Sequence, residues 1–337
     1  MVGDVCFLFS EVFWVLKVRR FIKEDWRRAV AENTLFQAVS GHGQGMFDND
    51  IDIVASFKDI GISSLYPTKR IISNVSGYVV RGGITAILGP TASGKSLLMG
   101  ALSGRVHNLQ ISGDFFIDGR KVDCRKISNP ISYVSQEDTL IGDLSVRETL
   151  YNSAAMKRNK PVSDIHEDVA HILEVLHLSD VADKCIGNFF CRGLSCGQRK
   201  RLEIGAELVA APLVLFLDEP TSGLDTNVAF EVLKSIQDIA RASNGRLSIM
   251  LSIHQPNPRT LRLFDHIMVL GGGTMNFFGS MTESIQYLTS IGFPLPRHYI
   301  PTDFLLLVSD PNFADESKIN FAGAVNIMQH LIYMIFF

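Results

Sequence analysis

The chain alternates between short apolar runs and longer segments in which apolar residues recur at helical spacing. The runs at Ile84–Leu88 and 213–217 carry apolar residues on both faces, which is typical of strands buried inside a parallel sheet. Between 165 and 178 the apolar residues return every three or four positions, as at Ile165 and Val169, which predicts an amphipathic helix. This alternation predicts an α/β fold with a mostly parallel sheet.

The same patterns predict the remaining elements. Strands are expected within 51–80, with a break at Tyr66-Pro67, and at 114–117, 131–134, 247–252 and 267–270, and helices at 228–242 and 283–289. Ser145 and Glu148 form a Ser-x-x-Glu capping box, which marks a helix start. We therefore expect an inserted helical subdomain at about 143–204, and an antiparallel β subdomain beside the main sheet.

The strand at Ile84–Leu88 runs into a segment that matches G-x-x-x-x-G-K-[ST], the phosphate-binding loop. The segment comprises Gly89, Pro90, Thr91, Ala92, Ser93, Gly94, Lys95 and Ser96. Backbone N–H groups of such a loop and the N-terminus of the following helix attract phosphates. Lys95 is placed to reach the β- and γ-phosphates, and the Ser96 hydroxyl to bind Mg²⁺. The sequence therefore predicts binding of a nucleoside triphosphate.

Two carboxylates stand at the end of the second apolar run. Asp218 and Glu219 directly follow 213–217, and ligands bind at this end of the strands in open α/β sheets. Asp218 is placed to hold Mg²⁺, and Glu219 to orient or deprotonate a water that attacks the γ-phosphorus. The predicted chemistry is therefore hydrolysis. The combination of this loop with the two carboxylates resembles the P-loop NTPases, which implies a RecA-like core.

Composition narrows the classes of partner. The 337 residues are 46% hydrophobic and 20% charged, with a formal net charge of −3, which is the balance of a globular protein. A chain without net positive charge has no field that attracts nucleic acid, so we expect no nucleic-acid partner. Five cysteines scattered over the chain do not suggest a disulfide framework and favour a reducing, cytosolic environment.

Both ends of the chain carry apolar stretches that are shorter than the roughly 20 residues needed to span a bilayer. Residues 1–50 are predicted to be an N-terminal extension and linker, whose apolar stretch at 5–16 either lies on a membrane surface or packs against the rest of the chain. Residues 311–337 are predicted to be an apolar tail. The nucleotide-binding domain is expected to cover 51–310.

The segment 193–201 reads Gly-Leu-Ser-Cys-Gly-Gln-Arg-Lys-Arg and resembles the signature segment, usually LSGGQ, of the ATP-binding cassette (ABC) ATPases. Other motifs of that family stand in their usual order. Gln136 resembles the Q-loop glutamine, the Ser-Gly-Leu-Asp segment that ends at Asp225 resembles the D-loop, and His254 resembles the switch histidine. The resemblance covers roughly 51–310.

The resemblance implies a role for each matching residue. It implies catalytic roles for Glu219, His254 and Gln136, and Mg²⁺ binding by Ser96, Gln136 and Asp218. The implied contacts to ATP outside the phosphate loop are Ser195, Gly197, Gln198 and Asp225. In this family the signature segment contacts the nucleotide of the opposite subunit, so a second cassette, identical or different, is the implied partner.

Three details resemble the G subfamily, which contains the white-type half-transporters and the pleiotropic drug resistance exporters. They are His-Gln-Pro at 254–256, Arg-Lys-Arg at 199–201, otherwise interpreted as a solvated charged face, and Ile-Pro-Thr-Asp-Phe at 300–304. In that subfamily the cassette precedes a transmembrane domain, which is absent from this chain. The implied function is ATP hydrolysis at the cytoplasmic face of a membrane that powers export of a lipid-like or xenobiotic substrate. The alternatives are a truncated or degenerate ABC protein that binds ATP without transport, and a soluble ABC ATPase.

Cys196 departs from the family pattern, because it replaces the first glycine of the usual Gly-Gly pair. Its side chain is expected to narrow the approach of the opposite subunit's nucleotide, and a positive φ there would strain a residue other than glycine. Ala92 and Ser93 fall at variable positions of the phosphate loop, so they do not depart from the family pattern. Tyr66 has the spacing of the aromatic residue that often stacks on adenine in the family; packing in a turn or core beside Pro67 is the alternative.

Overall fold

The computed structural model describes residues 52–309, apart from 67, 107, 124–129, 159–160, 189–191, 291–294 and 296–298. Its strands are β1 (Ile53–Ser64), β2 (Arg70–Val80), β3 (Ile84–Leu88), β4 (Leu109–Ile117), β5 (Arg120–Val122), β6 (Ile131–Val134), β7 (Val214–Leu217), β8 (Ser248–Ser252), β9 (His266–Gly271) and β10 (Thr274–Gly279). Its helices are α1 (Lys95–Leu102), α2 (Val146–Lys157), α3 (Val162–Val175), α4 (Cys196–Leu208), α5 (Thr226–Ala242), α6 (Pro258–Leu261), α7 (Met281–Ser290) and α8 (Pro301–Val308).

The predicted N-terminal extension and linker (1–50) and the predicted apolar tail (311–337) lie outside the described residues. The domain boundaries therefore stay predictions. Within the described part of the chain, no helix combines the length and the apolar character that crossing a membrane requires.

Six strands of the described residues form the main sheet, in the spatial order β10-β9-β3-β8-β7-β6. The neighbours from β9 to β6 all pair in parallel, and β10 pairs antiparallel with β9. The mostly parallel sheet predicted from the apolar runs is thus confirmed. Strand β10 is not among the predicted strands; it is a short hairpin partner that continues from β9 after a Gly-Gly turn.

Alternate residues of the central strands belong to different hydrophobic cores. In β3, Ala86 and Leu88 pack in one core and Ile87 packs in the other. In β7, Leu215 and Phe216 divide in the same way. Both faces of the sheet are therefore covered, which is why these strands lack the polar face that a half-exposed strand shows.

A second sheet, with the order β2-β1-β4-β5, is antiparallel throughout and covers one face of the main sheet. Helix α1 contributes Leu98 and Met99 to the core between the two sheets, together with Phe57 and Phe216. The predicted antiparallel β subdomain is confirmed. Strand β4 begins at Leu109 and not at 114, because its first half pairs with β1 while remaining largely exposed, and so lacks an apolar run.

The helices α2, α3 and α4 pack together as the helical insertion. Helix α2 begins with the predicted capping box, in which Ser145 Oγ accepts from the Glu148 N–H at 3.2 Å and Glu148 Oε2 accepts from the Ser145 N–H at 2.8 Å. Helix α3 ends at Val175, earlier than the predicted 178, because His177 adopts a left-handed conformation with φ +52°.

Gly205 allows the close approach of these helices. A Cβ at this position would lie 2.6 Å from Leu176 Cδ1 and 3.1 Å from Leu150 Cδ2. We expect Gly205→Val to destabilise the protein by about 1–3 kcal/mol through overpacking, measured by denaturant unfolding. Ala206→Val is the matched control, because Ala206 is the next residue of α4 and only half-buried. An equal effect of the two substitutions would contradict the packing role.

Candidate functional site

Two glycines shape the loop between β3 and α1. Gly89 has φ +156°, and a Cβ there would collide with the Leu270 carbonyl oxygen. Gly94 has φ +99° and immediately precedes α1, which begins at Lys95 without a side-chain cap from the described residues. The first N–H groups of α1 are therefore available to an anion at the loop.

Ala92 lies between these glycines in a left-handed conformation, with φ +63°. This conformation costs an L-residue with a Cβ about 1–2 kcal/mol. The loop therefore requires at position 92 a backbone geometry that glycine adopts more easily than alanine. Ser93 follows with a buried hydroxyl.

Lys95 turns its ammonium into the loop. Its Nζ donates to the carbonyl oxygens of Gly89 at 2.9 Å and Pro90 at 3.0 Å. Burial lowers the pKa of Lys95, and the nearby carboxylates of Glu219 and Asp218 oppose that shift. The structure thus brings the lysine of the loop close to the two carboxylates at the end of β7.

The carboxylate of Asp218 accepts hydrogen bonds from three hydroxyl groups in this region. Its Oδ1 accepts from Ser96 Oγ at 2.8 Å and from Ser252 Oγ at 2.7 Å, and its Oδ2 accepts from Tyr133 OH at 3.0 Å. The carboxylate is buried. The pKa of Tyr133 is raised by burial and by the charge of Asp218, so its hydroxyl remains a donor. The two predicted Mg²⁺ ligands Ser96 and Asp218 are in direct contact.

Glu219 has φ +44°, a conformation that a residue with a Cβ adopts only when its surroundings hold it there. The Glu219 N–H donates to Ser252 Oγ at 2.8 Å, and its Oε2 accepts from Gln136 Nε2 at 3.1 Å. The structure therefore pairs two residues that the sequence analysis assigned to catalysis, Gln136 and Glu219.

His254, the third of the residues assigned to catalysis, contacts the phosphate loop. Its Nε2 is 2.6 Å from Thr91 Oγ1. It also lines a cleft of about 380 Å³ together with Glu219, Thr221, Ser222, Ile253 and Gln255. One connected region thus contains the phosphate loop, both carboxylates, Gln136 and His254.

The remaining predicted residues lie at the starts of two helices. Ser195 caps α4, since its Oγ accepts from the Gln198 N–H at 3.3 Å while Gln198 Oε1 accepts from the Ser195 N–H at 3.0 Å. Asp225 caps α5 by accepting from the N–H groups of Asn227 and Val228 at 3.2 and 3.3 Å. These residues therefore form a second group, held at the starts of two helices that contact each other.

Cys196 is the first residue of α4 and is exposed. It does not have a positive φ, so the backbone strain considered from the sequence is absent, because helix geometry suits any L-residue. Gly197 is the more constrained position, since a Cβ there would lie 2.7 Å from Val228 Cγ1 of α5. Tyr66, in turn, is 94% exposed, which excludes packing in the core.

A charged link that the sequence pattern did not indicate joins α4 to the segment after Gln136. Arg199 Nη1 donates to Asp138 Oδ2 at 2.7 Å. Lys200 forms a 2.6 Å ion pair with Glu203, and its Nζ lies 3.5 Å from the Gln136 carbonyl oxygen. The interpretation of 199–201 as a solvated charged face is therefore wrong for Lys200, which is buried. Glu203 was the signal in the sequence, because a glutamate three residues after Lys200 on the same helix can form an ion pair with it.

We expect Ala92→Gly to increase the free energy of unfolding by about 1 kcal/mol, because glycine removes the left-handed strain and loses part of that gain to chain entropy. Chemical denaturation measures the change. The control is Ala229→Gly in α5, where the helical backbone predicts a loss of about 1 kcal/mol. Destabilisation by both substitutions would show that the loop is not strained at Ala92.

Lys200→Met is expected to destabilise the protein by about 3 kcal/mol, because it leaves the Glu203 carboxylate buried without its partner. Burial already raises the pKa of Glu203, and losing the cation raises it further. Protonation neutralises the group, so the deficit should be small at low pH and grow as the pH rises through the raised pKa. Unfolding at pH 5 and pH 8 measures this. The double variant Lys200→Met, Glu203→Met should recover most of the stability and lose the pH dependence; a pH-independent deficit in the single variant would contradict the ion-pair account.

Comparisons with known proteins identify relatives of this chain. A family model described as "ABC transporter" matches residues 72–222. ABC transporter G family member 11 of Arabidopsis thaliana is 36% identical over 77% of this chain, and ATP-binding cassette sub-family G member 5 of Homo sapiens is 36% identical over 78%. The chain spans 37% and 40% of the lengths of these two relatives.

The fold has a solved counterpart as well. The structure of cbiO1 from Clostridium perfringens, part of the ABC transporter complex cbiONQ, superposes with a TM-score of 0.60 at 25% identity. The match covers 72% of this chain and 98% of cbiO1. By its motifs, its fold and these relatives, the chain belongs to the ABC transporter family, as a nucleotide-binding domain of the G subfamily.

Proposed function

We propose that this chain binds Mg-ATP and hydrolyses it together with a second cassette. The released energy powers export of a lipid-like or xenobiotic substrate through a transmembrane domain, with the cassette at the cytoplasmic face of the membrane. The observation that carries the proposal is the joint placement of Lys95, Ser96, Asp218 and Glu219 at the phosphate loop. The similarity of the chain to G-subfamily transporters favours this function over that of a soluble ABC ATPase or of a cassette without transport.

The polar groups around the loop divide the chemistry among them. Lys95 and the loop N–H groups bind the phosphate oxygens, and His254 holds the γ-phosphate from the other side. Ser96, Asp218 and Gln136 offer oxygen ligands, one of them a carboxylate, which is the donor set that Mg²⁺ takes together with phosphates and water. When bound, that ion neutralises the phosphate charge. Glu219 orients a water for in-line attack and accepts its proton.

The start of α4 serves the nucleotide of the second cassette. Ser195, Gly197 and Gln198, with Asp225 nearby, form this surface, and the capping box keeps the Ser195 side chain and the N-terminus of α4 in a fixed relation. The positive end of the helix dipole stabilises a nearby phosphate. Each complete site then needs two chains, so an isolated cassette should hydrolyse ATP slowly.

Glu219→Gln tests the proposed hydrolysis. It keeps the shape of the side chain and removes its basicity, so we expect kcat to fall at least about 100-fold while ATP binding persists. Lys95→Ala should instead weaken ATP binding itself. Turnover and equilibrium binding of a fluorescent ATP analogue are the measurements. Glu231→Gln on the exposed side of α5 is the control; a Glu219→Gln variant that keeps wild-type turnover would refute the role.

Cys196→Gly tests the approach of the second cassette. We expect this substitution to raise turnover, because it removes an exposed side chain that narrows the approach of the opposite nucleotide at the start of α4. Specific activity should also rise with protein concentration, because a monomer lacks half of each site. Activity per chain is measured over a dilution series for both proteins. Concentration-independent activity at the wild-type level in both would contradict the two-chain site.

A further inference from the structure

Ser252 belongs to neither the phosphate loop nor the signature segment, and the proposed function assigns it no role. It is the last residue of β8 and is fully buried. Its hydroxyl donates to Asp218 Oδ1 at 2.7 Å and accepts from the Glu219 N–H at 2.8 Å. A serine hydroxyl has one O–H and two lone pairs, so its single donor is committed to the carboxylate of Asp218.

The hydroxyl therefore acts on two neighbouring residues in different ways. On Asp218 it restricts rotation of the carboxylate by fixing one oxygen. On Glu219 it holds the backbone at φ +44°, a conformation that persists only when the surroundings impose it. In that conformation the Glu219 side chain meets the Gln136 amide at 3.1 Å.

Tyr133 fixes the opposite oxygen of the same carboxylate. Its hydroxyl donates to Asp218 Oδ2 at 3.0 Å. Tyr133 lies on β6 and Ser252 on β8, and these strands flank β7 on its two sides. The Asp218 carboxylate is thus held from both neighbouring strands of a rigid sheet, while Ser96 reaches it from the loop at 2.8 Å.

We propose that Ser252 is a positioning residue that aligns both carboxylic residues at the end of β7. It orients Asp218 toward the bound cation and holds Glu219 where its carboxylate directs the attacking water. Partner groups of this kind orient ligands, and their removal typically costs 10–100-fold in metal affinity or activity. This inference rests on the proposed ATP hydrolysis and adds to it a residue that acts through its bonds to Asp218 and Glu219.

The test compares Ser252→Ala with Ser248→Ala. Ser248 is a matched control, because it lies on the same strand, is equally buried, and accepts from the Gly82 N–H at 3.0 Å away from the loop. The probe is a fluorescent ATP analogue, whose dissociation constant is measured with Mg²⁺ and with EDTA. Melting temperature and kcat are measured on the same preparations.

We expect Ser252→Ala to reduce the gain in affinity that Mg²⁺ confers by about 10-fold and to lower kcat by about 10- to 100-fold. Affinity in EDTA should stay unchanged, since Lys95 and the loop are intact. Ser248→Ala should lower the melting temperature to a similar extent without changing either the Mg²⁺-dependent affinity or kcat. Equal effects of the two variants on those two quantities would overturn the positioning role, whereas the proposed hydrolysis would still stand or fall with Glu219→Gln.

Tyr133→Phe provides a second, milder test, because Tyr133 is only half-buried and the substitution removes a single oxygen. It should reduce the Mg²⁺-dependent affinity, as Ser252→Ala does, but lower kcat at saturating Mg²⁺ less, because the bond to the Glu219 backbone is untouched. This variant also decides the matter if Ser252→Ala does not fold. An unchanged Mg²⁺-dependent affinity in Tyr133→Phe would show that the flanking strands do not orient Asp218.

Discussion

The carboxylate of Asp218 is the point on which the arrangement of the site depends. It accepts hydroxyl hydrogen bonds from the phosphate loop, from β6 and from β8. Three elements that are distant in sequence thus converge on one buried acceptor. Because a buried carboxylate without partners is costly, these bonds also stabilise the relative placement of the loop and the sheet. The geometry of the site is therefore the geometry that satisfies this charge.

The second physical theme is local strain around that point. Ala92 and Glu219 both have positive φ. Lys95 Nζ donates to two carbonyl oxygens of the loop that contains Ala92, and the Glu219 N–H donates to Ser252 Oγ. Strained backbone of this kind is retained at functional sites when the surrounding structure enforces it. The sheet provides that support, because both of its faces are buried and its strands have little freedom to shift.

The charged contacts between α4 and the segment after Gln136 connect the two groups of predicted residues. Arg199 and Lys200 reach Asp138 and the Gln136 carbonyl, and the same helix begins at the signature segment. In the two-cassette assembly that we propose, this arrangement places the helix assigned to one nucleotide in contact with the glutamine assigned to the other. The buried pair of Lys200 and Glu203 stiffens the link, since neither charge can leave its partner without a desolvation cost.

The sequence by itself determined the class of fold and the identity of the phosphate loop, because apolar runs and a short glycine motif depend on local order along the chain. It also placed the capping box of α2 and the carboxylates at the end of β7. Only the tertiary structure decided what contacts the carboxylate of Asp218, since Tyr133 and Ser252 are ordinary strand residues until the sheet order places β6 and β8 on either side of β7. The burial of Lys200 was also decided by the tertiary structure, because it depends on packing that no single segment encodes. The tertiary structure likewise decided that the backbone of Cys196 is unstrained, because the helix already begins there.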